Sequence, residues 1–98
     1  MRLSAEYRSA IKQAALKAFG ADTTVRIFGS RTDDARRGGD IDIHVETAPE
    51  MADFDHEVRF RALVWKLTDE SQIDVVVAAR GAKLRWIDRA AMREGVLL

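Results

Sequence analysis

The chain contains no cysteine, which excludes a disulfide framework, a thiolate zinc site and a cysteine nucleophile. Proline is nearly absent as well: Pro49 is the only one, and no proline- or glycine-rich stretch reads as a linker. Neither sign of charge is in excess. Sixteen basic residues against 16 acidic ones give a formal net charge of zero, and each half of the chain is neutral to within one charge. No overall field therefore draws the chain to nucleic acid or to an anionic membrane, and neither is an expected partner. Long apolar runs are missing too. The longest, Val75 to Ala79, falls far short of the roughly 20 residues that span a bilayer, and the Met-Arg-Leu-Ser-Ala-Glu start carries no apolar signal core. These absences predict a soluble, cytoplasmic protein. A length of 98 residues at 47% apolar content predicts one domain over 1–98 with a single core.

What is present divides into helical and strand periods. Tyr7, Ile11, Ala14 and Ala18 recur at helical spacing, widened by Ala10, Ala15 and Phe19, with Ser4 as N-cap and Gly20 as the C-terminal stop. Thr24-Val-Arg-Ile-Phe28 is β-branched and aromatic and reads as a buried strand running into a tight turn at Gly29-Ser30. Asp40-Ile-Asp-Ile-His-Val-Glu46 alternates strictly. It puts Ile41, Ile43 and Val45 on one face and Asp40, Asp42, His44 and Glu46 on a wet one. A second helix is predicted from Asp53 to Asp69, with Phe54, Val58, Ala62 and Trp65 as the inward stripe, extended by Leu63, Val64 and Leu67. Its acidic first turn (Asp53, Asp55, Glu57) favours the positive end of the helix dipole. Ile73–Val77 reads as a third strand, too apolar to be an edge facing water on both sides. A third helix from Ala82 to Arg93 is expected to turn Leu84, Ile87 and Ala91 inward and to close at Gly95, leaving Val96–Leu98 as an apolar tail. Between residues 80 and 94 five basic side chains, Arg80 and four in this helix, face only Asp88 and Glu94. The order α-β-β-α-β-α defines an α/β (α+β) class with a small mixed sheet flanked by helices.

The chemistry gathers at the start of the alternating strand. Positions i and i+2 of a strand share a face about 6.6–7 Å apart, and two carboxylates there repel by roughly 2–3 kcal/mol at an effective dielectric of about 20. A solvated face tolerates that repulsion; a divalent cation relieves it. Alone, Asp40-Ile-Asp42 is compatible with a plain amphipathic strand, and Gly29-Ser30 with an ordinary turn. Together they place a turn whose backbone N–H groups can hold an anion nine residues ahead of a pair of carboxylates. Asp74, second in an apolar strand, adds a third acid, for which a turn-partner role after Ser71-Gln72 is equally open. A phosphate grip, paired carboxylates and a third carboxylate on another strand are the parts that two-metal phosphoryl or nucleotidyl transfer needs.

Phe28-Gly-Ser-Arg31, then Gly39-Asp-Ile-Asp-Ile43, with Ile73-Asp-Val75 downstream, resembles the DNA polymerase β-type nucleotidyltransferase superfamily. More narrowly, the chain is similar to the minimal nucleotidyltransferases of prokaryotic toxin–antitoxin pairs, along nearly its whole length. Gly39 departs from the pattern, since many relatives have serine before the first aspartate. The resemblance implies a polymerase β-like nucleotidyltransferase fold. It implies that Gly29 and Ser30 hold a nucleoside triphosphate, with Arg31 beside them. It further implies that Asp40 and Asp42 bind two Mg²⁺ ions (Mn²⁺ as substitute), and that Asp74 completes the catalytic metal site. The implied activity is transfer of AMP from ATP to a hydroxyl of a partner protein, a HEPN-type toxin to which this chain is the antitoxin. The alternative is a non-catalytic module that neutralises the toxin by occlusion. Arg36 and Arg37 suit a solvated loop as well as a phosphate clamp. His44 is expected to be a spectator, His56 to be exposed, and Trp65 and Trp86 to lie in core stripes, with a partner patch of Trp86, Leu97 and Leu98 also open.

Overall fold

Among the described residues, four strands form one mixed sheet in the order β3-β2-β1-β4, and this order decides which side chains can meet. The computed structural model describes residues 4–28, 41–68 and 73–98. The elements are α1 (Ala5–Phe19), β1 (Thr24–Phe28), β2 (Ile41–Thr47), a 3₁₀ turn (Pro49–Met51), α2 (Phe54–Thr68), β3 (Ile73–Ala79), α3 (Trp86–Glu94) and β4 (Val96–Leu97). β1 runs antiparallel to both β2 and β4, whereas β2 and β3 are parallel. The class is mixed α and β, as the element order implies.

Helix α1 starts where the Ser4 side chain accepts the Tyr7 N–H at 3.1 Å. It stops at Gly20, whose φ of 103° lies in the region that a side chain disfavours. Its buried face is Ile11, Ala14, Ala15, Ala18 and Phe19; Tyr7 is exposed. That face lies with α2 on the side of the sheet carrying Val25, Ile27, Ile41, Ile43, Val45 and Ile73, and together they form the core. Phe19 and Phe60 pack at 5.6 Å between ring centroids, within the range of favourable aromatic pairs.

Several elements differ from the sequence-based expectation. Helix α2 buries Phe60, Val64 and Thr68, not the stripe of Phe54, Val58, Ala62 and Trp65, which is exposed. Two apolar stripes run along this helix, and tertiary anchors select between them. Phe60 meets Phe19, and Arg61 donates to the Ile73 carbonyl at 2.9 Å, which fixes the rotation of the helix. Strand β3 is an edge strand despite its apolar run. Its outward carbonyls at Ile73 and Val77 are taken by the Arg61 and Arg85 guanidinium groups, each at 2.9 Å, which blunts the edge. Helix α3 begins at Trp86 rather than Ala82 and buries Asp88 and Ala91, with Leu84 and Trp86 exposed and Ile87 half-buried. The apolar tail is partly a strand: Val96 and Leu97 pair with Ile27 and Arg26. Among the described residues, no helix is long and apolar enough to cross a membrane.

Candidate functional site

The alternation of β2 separates core from site. Ile41, Ile43 and Val45 enter the core, so Asp42, His44 and Glu46 project from the opposite face. Because β3 is parallel and in register, Asp42 pairs with Asp74. In a paired register the two side chains leave the same face, on strands about 4.8 Å apart. β1 brings Phe28 opposite Asp42 from the other side. Asp42 is half-buried and Asp74 exposed, so the pair stands at the rim of the sheet where β2 and β3 begin. Like charges directly opposite each other are destabilising in a sheet. Hard carboxylate oxygens at that separation suit Mg²⁺ or Mn²⁺.

Of the residues singled out from sequence, the structure therefore brings Asp42 and Asp74 together. Asp40, Gly29, Ser30, Arg31, Arg36 and Arg37 lie outside the described residues. Among the described residues no group of three or more histidines and carboxylates converges as a metal site. The donor set in view is two carboxylates from adjacent strands, and that chemistry fits a hard divalent cation.

His44, expected to be a wet spectator, is wholly buried. Its Nε2 lies 2.8 Å from Asp88 Oδ1, and the Phe28 ring stands edge-on to it at 6.4 Å. Asp88 is in turn gripped by Arg85, whose Nε reaches Oδ2 at 2.9 Å and whose Nη2 reaches Oδ1 at 3.0 Å. The Arg85 backbone N–H also donates to Oδ2 at 2.9 Å, a cap of the first turn of α3. The Arg85 guanidinium holds the Asp88 carboxyl well below the usual carboxylate range, helped by that backbone N–H and by His44. An ionised carboxylate only accepts, so His44 Nε2 carries the proton and donates it. His44 Nδ1 has no partner among the described residues. The buried His44–Asp88 pair, clamped from the surface by the exposed Arg85, ties α3 to β2 on the face that carries the aspartates, and the Arg85 bond to Val77 ties it to β3. Sequence inspection missed it. Its one trace was an acidic residue in the middle of a basic helix.

Arg80 works at the other end of the sheet, where it binds the Asp22 carboxylate at 2.9 Å and the Glu46 carbonyl at 3.3 Å. His56 is half-buried; its backbone N–H donates to Asp53 Oδ1 at 2.9 Å, capping the start of α2, and its ring Nδ1 lies 2.6 Å from the same oxygen. Trp65 and Trp86 are exposed, against the expectation that they fill core stripes. Comparison of the chain with family models and with curated proteins finds no match.

Proposed function

We propose that the chain is a Mg²⁺-dependent nucleotidyltransferase that moves AMP from ATP to a hydroxyl of a partner protein, acting as the antitoxin of a HEPN-type toxin. The observation that carries this reading is the Asp42–Asp74 register pair on one face of two adjacent parallel strands. The Gly29-Ser30 … Asp40-Ile-Asp42 spacing in the sequence supports it. Asp40, Asp42 and Asp74 would hold the metal, which when bound neutralises phosphate charge. Gly29, Ser30 and Arg31 would hold the triphosphate. Asp74, exposed, would also help activate the acceptor hydroxyl, taking its proton as the oxygen bonds to the α-phosphorus and pyrophosphate leaves. Positioning and electrostatics then supply the rate, with no covalent enzyme intermediate.

The test separates transfer from occlusion. The double variant Asp40→Ala with Asp42→Ala should keep its circular-dichroism spectrum and still bind the protein encoded by the neighbouring gene. It should fail to label that protein with nucleotide and fail to protect cells from it. Full protection by the folded double variant overturns transfer in favour of occlusion.

A further inference from the structure

The rotation of α2 that buries Phe60 and Val64 leaves a second apolar stripe uncovered. Phe54, Val58 and Trp65 are 73%, 45% and 58% exposed, and Ala62, also exposed, lies between them. At spacings of i, i+4, i+8 and i+11 they form one continuous line about 16 Å long. The adjoining edge of β3 does not invite a strand, since Arg61 and Arg85 already occupy the Ile73 and Val77 carbonyls. An apolar line at helical spacing suits a helix laid along it.

We infer that the partner is α2 of a second copy, packed antiparallel about a two-fold axis that crosses the exposed stripe midway between Val58 and Ala62. The stripe is its own complement under that operation. Val58 of each copy meets Ala62 of the other at the centre, where small side chains let the backbones approach. Phe54 meets Trp65 at each end, where crossing helices diverge and large rings fill the gap. Charge agrees with the same pairing. Asp55 in the first turn of one helix faces Lys66 in the last turn of the other, and the two helix dipoles oppose. On the other flank Glu57 is already paired with Arg61 at 3.1 Å within the chain. Arg59 lies about 105° round the helix from the centre of the stripe and stays hydrated. The surface belongs to the helical layer, on the side of the sheet opposite the aspartates, and does not rest on the nucleotidyl-transfer reading.

Sedimentation equilibrium on the full chain tests it. Wild type should be a reversible dimer. Val58→Arg, at an exposed position, should keep the circular-dichroism spectrum and weaken the dimer about thirtyfold or more. Asp55→Lys and Lys66→Asp should each weaken it, and the two together should restore it, which only the antiparallel register allows. A wild-type chain that stays monomeric at its highest soluble concentration overturns the inference. So does a dimer indifferent to Val58→Arg. A monomer whose Val58→Arg variant loses only the protein of the neighbouring gene assigns the stripe to that protein instead.

Discussion

Asp42 and Asp74 sit side by side because strand register leaves them no alternative, and the cost of that arrangement is what a cation would remove. Mg²⁺ should therefore raise the melting temperature, and more so with ATP present. A ligand at roughly 100 times its Kd adds about 2.7 kcal/mol. Asp42→Asn should abolish most of this gain in a thermal-shift titration; an undiminished gain would place the metal elsewhere. Asp88 is the second residue with a measurable signature. Removing its carboxylate strands a buried His44 and uncaps α3, so Asp88→Ala should cost about 2–4 kcal/mol in urea unfolding. The same group sets a pH dependence. Its folded pKa lies below the ordinary carboxylate value, so the unfolded chain binds the extra proton and stability rises with pH. The stabilisation facing His44 and Arg85 is complete above about pH 4 and is lost progressively as pH falls below it. The stability gap between wild type and Asp88→Asn should accordingly narrow on acidification. Asp53, held low by the His56 backbone N–H and then by its ring, is common to both proteins and cancels in that difference.

At the scale of elements, legibility followed the kind of force that decides each one. Strand β2 could be read because its alternation is strict and one face had to be buried; Ile41, Ile43 and Val45 are core as expected. The ends of α1 could be read because Ser4 and Gly20 act locally. Helix α2 could not be oriented, since its two apolar stripes are equally plausible until Phe19 and the Ile73 carbonyl choose between them. Helix α3 hides an ionised residue on its inner side, and hydropathy has no means to place Asp88 inward without knowing that His44 awaits it 44 positions away. β4 is two residues long and exists only through its pairing with β1. Gly95 was legible as a helix stop, but its reason is contact. A Cβ there would collide with the Ala91 carbonyl oxygen and approach Arg26 Cβ to 3.2 Å. Gly95→Ala should lower stability by about 1–3 kcal/mol through this overpacking, measurable by urea denaturation, with α3 and β4 losing hydrogen-exchange protection first.

Taken as a whole molecule, the sheet divides labour between its faces. α1 and α2 seal the apolar face around Phe19 and Phe60, and α3 covers part of the polar face through Asp88 and Arg85. Asp42 and Asp74 remain at the rim that α3 leaves accessible. In the sequence, Asp42 follows from strand phase, and Asp74 is joined to it only by the family resemblance. The coincidence of Asp74 with it needed the parallel β2–β3 register, which no local pattern encodes. The most direct test of nucleotidyl transfer is the fate of the two ends of the triphosphate. With Mg²⁺ and the protein of the neighbouring gene, ATP labelled at the α-phosphate should leave its label covalently on the acceptor. ATP labelled at the γ-phosphate should release all of its label as pyrophosphate, and Asp42→Asn and Asp74→Asn should do neither. Transfer of the γ-label, or α-labelling undiminished in both variants, would contradict the account.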